Sequence, residues 1–324
     1  MNTLTIEEIK SIIKDKIFDL VVPKHTVDGH FYGYIPTNET YASVTTKSGI
    51  LEAPHLKKWA ANLAVQYIDK NWNIITPQNK QEIYEAAVLD HVNNFRDAGD
   101  IGTQGHEIVD EYLKLWMEGD KPEDIRRLIK GEDIRLWAIT RSAEMFCKDF
   151  NVVPVASELL VANSQYKYAG TLDTLMMIPR VIREGDPNCG ESDIIKPITL
   201  GHQTITSLKN SNIEYCFNCD RKVIHELTLV DWKTSNNITQ KPEYLMQTAA
   251  YYKALQQMTG IRCKRILIVR LDKAKAGYEV IQVLDINKAF KAFLNISKVY
   301  DWLMNAQPKS SEYPELKLID INNL

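Results

Sequence analysis

The stretch Glu226-Leu-Thr-Leu-Val-Asp-Trp-Lys-Thr234 decides how this chain is read. Strand side chains alternate in direction, so Asp231 and Lys233, two apart, project from one face. An apolar run does not usually end with a carboxylate and an ammonium side by side. Keeping both partly out of water is costly unless they hold each other or a metal. An ion pair at a strand end is the plainest account of the two residues taken alone. A second acid in a strand setting, Asp173 in Gly170-Thr-Leu-Asp173, turns them into a constellation.

Working outward, two strands precede the insertion-like segment Arg180–Ile224. Val153–Ala162 puts Val155, Leu159 and Val161 on one side and Glu158 on the other. Tyr166–Ile178 sets Asp173 on the face of Thr171 and Leu175, and Asn163-Ser-Gln165 fits a hairpin between the two. Upstream, a helix starting at Gly102 places His106, Asp110, Leu113 and Met117 on one stripe, and a second helix spans Asp133–Phe150. Downstream, Thr239 serves as N-cap of a helix that carries Pro242 in its first turn and stops at Gly260. Strands Arg265–Leu271 and Tyr278–Leu284 follow, and Asp285 caps a last helix to about Met304. Residues 1–100 read as a helical N-terminal region, with helices near 6–20, 54–70 and 81–97 and a β-rich stretch from Phe31 to Ile50. Residues 101–307 form the motif-bearing core, interrupted at about 180–225, and 308–324 a polar tail.

Composition bounds the function. The 324 residues are 44% hydrophobic and 25% charged, ordinary for a globular chain, with a formal net charge of −3. A protein that coats duplex DNA would be basic, so any nucleic-acid contact is a local groove. Met1–Leu20 reads as an amphipathic helix rather than a signal peptide, and no apolar run reaches membrane-spanning length. Five cysteines suit a reducing compartment, which points to the cytoplasm and to no membrane association.

The constellation suits phosphodiester chemistry. Two carboxylates on neighbouring strands, Asp173 and Asp231, can hold hard Mg²⁺, which keeps several waters. Lys233 beside them can orient water and offset phosphate charge. His106 can add a nitrogen donor, favouring Mn²⁺ over Ca²⁺, although a histidine on an apolar stripe is also an ordinary core residue. Glu158 is either a supporting ligand or a polar strand residue. His106-Glu107 does not open a zinc-protease motif, since position 110 is Asp. In the insertion, Cys216-Phe-Asn-Cys219 forms a knuckle that Cys189 and either His202 or His225 could complete as a structural Zn²⁺ site; free thiols in a surface loop are the alternative.

These residues resemble the PD-(D/E)XK nucleases, and within them the RecB-like exonucleases. The motifs are Gly102-Thr-Gln-Gly-His106, Gly170-Thr-Leu-Asp173, Asp231-Trp-Lys233 with Thr234, and Gln247-Thr-Ala-Ala-Tyr251, in family order over roughly residues 100–305. Tyr41-Ala-Ser43-Val-Thr45-Thr46 also looks like the N-terminal segment of phage-type and mitochondrial-genome-maintenance exonucleases. The resemblance implies an α/β (α+β) fold: a restriction-endonuclease-like core with a central mixed sheet flanked by helices. It implies Asp173, Asp231 and Lys233 as catalytic residues. The metal ligands would be His106, Asp173, Asp231 and the main chain of Trp232, supported by Glu158. Gln247, Tyr251, Thr234, Ser43 and Thr45 would contact or brace the substrate. The activity implied is Mg²⁺- or Mn²⁺-dependent exonucleolytic cleavage of DNA leaving 5′-phosphates, in recombination, repair or replication of a phage or bacterium. The partners implied are single-stranded DNA or duplex ends, with a recombination or single-strand-binding protein. A structure-specific or restriction-type endonuclease and a non-cleaving DNA-binding module are the competing readings. The long stretch between Asp173 and Asp231 departs from the family's compact core.

Overall fold

A computed structural model describes residues 4–26, 29–51, 54–120, 122, 125–129, 133–181, 204–205, 213–216, 222–239 and 241–306. Strands rich in branched and aromatic residues feed one mixed sheet, open at its edges. In chain order they are β1 (Val21–Thr26), β2 (Gly29–Tyr34), β3 (Glu39–Ser43), β4 (Val153–Asn163), β5 (Tyr168–Val181), β6 (Thr204–Ile205), β7 (Ile213–Cys216), β8 (Lys222–Lys233), β9 (Arg265–Leu271) and β10 (Tyr278–Gln282). The helices are α1 (Ile6–Lys16), α2 (Val44–Ser48), α3 (Pro54–Asn71), α4 (Lys80–Met117), α5 (Ile134–Asp149), α6 (Pro242–Thr259) and α7 (Ile286–Asn305).

β5 is the spine. One edge pairs antiparallel with β4. The other pairs in parallel with β3 at Tyr168 and Ala169, and then antiparallel with β8 from Thr174 to Val181. Residues 170–173 therefore lie where this edge changes partner. β8 continues past its pairing with β5 and runs parallel to β9 as far as Lys233. The two strands separate after Thr174↔Val230. Asp173 and Asp231 are the first residues on either side of that fork.

Helices cover both faces, and strand alternation sorts neighbouring residues between them. Leu175, Leu229, Ile266 and Ile268 join a core with Ile9 and Ile13 of α1, Ala250 and Leu255 of α6, and Phe293 of α7. Met176, Val230, Trp232, Leu267 and Val269 join a second core with Val109, Tyr112 and Leu113 of α4 and Ile139 and Phe146 of α5. No helix among the described residues is long and apolar enough to cross a membrane.

Several expectations change. The helices read at 81–97 and from Gly102 are one 38-residue helix, α4, and a boundary at residue 100 falls inside it. Glycine in a helix interior costs roughly 1 kcal/mol relative to alanine and so reads as a break. Here the absent Cβ is what lets α4 approach its neighbours. A Cβ on Gly102 would lie 3.0 Å from Thr234 Oγ1, and one on Gly105 3.0 Å from the Ile139 side chain. The N-terminal region is helical as expected, but its strands β1–β3 belong to the main sheet. Asp285 caps α7 and Gly260 ends α6 in a left-handed conformation, as the sequence suggests. Thr239 does not cap α6. Lys241 occupies that position without a side-chain bond, and Thr239 binds Asn237 Oδ1 instead. The insertion grows from the far ends of β5 and β8, where Val181 pairs with Val223, eight residues along the strand from Asp173. That separation is roughly 26 Å of extended chain.

Candidate active site

The fork supplies the site. With ladder bonds to β8 ending at Thr174, Asp173 uses its side chain in their place: Oδ2 accepts from the Trp232 amide at 2.8 Å. Trp232 is locked on the opposite face. Its Nε1 donates to Thr174 Oγ1 at 3.0 Å, and its ring meets Phe146 edge-on at 5.4 Å. This clamp fixes the direction in which Asp231 and Lys233 point.

Asp231 has no exposed surface, and neither carboxylate oxygen accepts a hydrogen bond among the described residues. Its Oδ2 makes an ion pair with Lys233 Nζ at 2.6 Å. Burial pushes the Asp231 carboxyl up to about 6 against the pull of Lys233. Burial also raises Asp173. Burial alone would depress the Lys233 ammonium, but the charges of Asp231 and Asp173 outweigh it and hold it above its ordinary value. The Lys233 Nζ lies 5.1 Å from the centre of the Tyr244 ring.

α4 forms the facing wall. His106 Nδ1 is 3.8 Å from Asp173 Oδ2, and burial together with the Lys233 charge depresses the imidazole to about 4. It is neutral at physiological pH and keeps a lone pair for a ligand. The cleft between this wall and the fork encloses about 650 Å³ and is lined by His106, Asp110, Glu158, Thr171, Asp173 and Thr234, among others. Glu158 sits opposite Asp173 with a left-handed φ of 50° in mid-strand. Its side chain is exposed on the cleft, and desolvation by the nearby protein, then Asp173 and Asp110, push its carboxyl up to about 8.

The remaining expected residues divide. Tyr251 lines the cleft, and Gln247 Nε2 donates to its hydroxyl at 3.0 Å. Burial raises the Tyr251 phenol well above its usual value, so it stays neutral. Ser43 and Thr45 do not line the cleft. Ser43 is buried as the N-cap of α2, where its Oγ accepts from the Thr46 amide at 2.8 Å and lies 2.9 Å from Thr45 Oγ1. Cys189, Cys219 and His202 lie outside the described residues, as does the Cys216 side chain; His225 pairs with Pro179 in the sheet. The zinc knuckle is thus outside what the structure describes.

Tyr32 on β2 is a lining residue that the local sequence does not signal. Its hydroxyl lies 3.1 Å from Thr171 Oγ1, a contact across 139 positions that only the pairing of β3 with β5 creates. Asp110 also enters the cleft, where its Oδ1 accepts from Ser157 Oγ at 2.5 Å and its Oδ2 meets Lys114 at 2.6 Å. Its place on the His106 stripe was the available signal.

Among the described residues no three His, Cys, Asp or Glu side chains stand at the spacing of a preformed metal cage. The donors nonetheless fit a hard cation that retains its waters, which needs only one or two carboxylates. Asp231 supplies two buried oxygens, of which Oδ1 has no partner and Oδ2 faces Lys233, Asp173 a second carboxylate, and His106 a neutral nitrogen. No protein-family model and no curated protein matches this chain.

Proposed function

We propose that this chain is a Mg²⁺- or Mn²⁺-dependent DNA exonuclease of the PD-(D/E)XK type, acting at strand ends and leaving 5′-phosphates. The observation that carries the reading is the Asp231 carboxylate, fully buried without a hydrogen bond, beside Lys233 and across the fork from Asp173. A purely structural buried pair is stable only when its remaining lone pairs are satisfied. Leaving Oδ1 of Asp231 open, with Oδ2 held by Lys233, is the arrangement of a site that awaits a cation.

Asp173, Asp231 and the Trp232 carbonyl would hold the metal, with His106 as a nitrogen donor. A strand residue presents N–H and C=O on the same edge, so the Trp232 carbonyl points to the side on which its amide binds Asp173. The bound ion would supply water activation and neutralisation of phosphate charge. The chain's own groups do the rest. Lys233, cationic through the neutral range, orients the attacking water and offsets charge that develops on the phosphate. Tyr251, fixed by Gln247, closes the wall behind Asp173. A cleft of this volume has room for a nucleotide, and a chain of net charge −3 suits one local acidic site better than general DNA coating.

The test is digestion of end-labelled linear and circular DNA, single- and double-stranded, with Mg²⁺, Mn²⁺ or EDTA, beside Lys233→Ala. Metal-dependent loss of linear but not circular DNA, absent in the variant, is expected. Cleaved circles would make the chain an endonuclease. No cutting under any condition would leave a DNA-binding module.

A further inference from the structure

Along α4, Tyr84, Val88, Val92 and Phe95 recur at intervals of four, four and three, so they form one stripe. This stripe is open, each side chain being between 39% and 63% exposed, with Leu89 exposed beside it. The same helix face continues through Ala98, Gly99, Gly102 and His106 into the cleft. A contiguous exposed apolar seam on a globular chain marks an interaction surface.

We propose that this seam pairs α4 with the α4 of a second copy of the chain, antiparallel, about a two-fold axis near residues 89 and 90. The pattern is self-complementary, as an isologous interface requires. Tyr84 meets Phe95 of the partner subunit, Val88 meets Val92 of the partner subunit, and symmetry makes each contact twice. Charge agrees with this register. Arg96 lies on the edge of the stripe with no ion-pair partner among the described residues, and comes level with Glu85 of the partner subunit on the same edge. Among the described residues of its own chain Glu85 accepts only from the neutral Gln81 amide, at 2.9 Å.

A nucleic-acid strand is the poorer occupant. Residues 80–98 carry Lys80 and Arg96 against Glu82, Glu85, Asp90 and Asp97, so a polyanion meets no net attraction. Tyr84 and Phe95 stand roughly 16 Å apart along the helix with Val88, Leu89 and Val92 between them, so successive bases meet no continuous stacking platform. The pairing also bears on the cleft, since Lys80 of the partner subunit reaches the level of Gly99 on its rim. The dimer does not depend on the nuclease reading.

Sedimentation velocity of the full chain over a concentration series tests it. The unmodified chain should sediment as a dimer. Val88→Glu, with unchanged helical circular dichroism, should raise the dimer dissociation constant at least about tenfold. Arg96→Glu and Glu85→Arg should each weaken the dimer by roughly fivefold to tenfold, and the double variant should recover it. A monomer at every concentration, or a dimer indifferent to all these changes, overturns the proposal. So does a monomer whose affinity for single-stranded DNA falls in Val88→Glu, which would make the seam a strand platform.

Discussion

The Tyr251 ring lies against Gly170 so closely that a Cβ at position 170 would stand 2.5 Å from its Cε1 and 3.3 Å from its Cζ. Two motifs eighty residues apart are thus one packed unit: the glycine that precedes Asp173 is the seat of the tyrosine that Gln247 holds. Gly170→Ala should destabilise the protein by about 1–3 kcal/mol, because the ring, buried and tied through its hydroxyl to Gln247, must shift to admit the methyl. In a Tyr251→Ala background the same change should cost almost nothing, so the two effects are strongly non-additive. Urea denaturation of the four proteins measures this, and simple additivity would show that the contact does not carry the glycine.

The same contact shows what the sequence makes legible. Strands β4, β5, β8, β9 and β10, most helices and the Asp285 cap follow from period and composition because each is a local pattern, whereas the meeting of Asp173 with Asp231 and Lys233 follows from the order of the motifs. Gly102 misled for a physical reason: its local cost argues for a break between residues 97 and 102, and the gain from close approach to Thr234 is tertiary. Tyr32 reaches the cleft through sheet topology alone. Ser43 and Thr45 carry a motif that, in the fold, caps a five-residue helix.

Asp231 gives a pH dependence with a definite sign. Its folded-state pKa of about 6 lies above its ordinary 3.8. A raised pKa contributes stability that is fully present below the unfolded value and is lost as pH rises through the folded one. His106, depressed to about 4, acts in the opposite direction over the same window, while Glu158 and Asp173, both raised, act in the same direction as Asp231. The difference between the unmodified protein and Asp231→Asn isolates the carboxylate. The variant should gain roughly 3 kcal/mol relative to the unmodified chain between pH 4 and pH 7 in EDTA. Melting curves across that range measure it, and a pH-independent difference would mean that Asp231 is solvated.

Metal addition should act on the same carboxylate. A ligand that binds the folded state alone raises stability with its concentration, by about 2.7 kcal/mol at a hundred times its dissociation constant. Mn²⁺ should raise Tm near pH 7.5, less at pH 5 where Asp231 is largely protonated, and hardly at all in Asp231→Asn. His106→Ala should shift the Mn²⁺ dependence of Tm to on the order of tenfold higher concentration while affecting Mg²⁺ less. Equal shifts for both ions would take His106 out of the ligand set and leave it as a packing residue.

Glu158 holds a left-handed φ of 50° in the middle of β4, opposite Asp173, where any residue with a Cβ is strained. Such strain persists where the surroundings enforce it, and it gathers at functional sites. Glycine adopts this conformation freely, and removing the side chain also removes a carboxyl that crowds Asp173 and Asp110. Glu158→Gly should therefore stabilise the protein by about 1 kcal/mol in EDTA, with glycine's larger unfolded-state entropy offsetting part of the relief. Glu158→Gln keeps the backbone strain and should gain only through the lost carboxyl, progressively as pH rises from about 4.5 to about 8. Urea midpoints at pH 6 separate the two contributions, because both variants lack the carboxyl and the backbone term distinguishes Gly from Gln. A Gly variant no more stable than the Gln variant at that pH would mean that β4 relaxes without cost, and that the strand is not held in tension over the site.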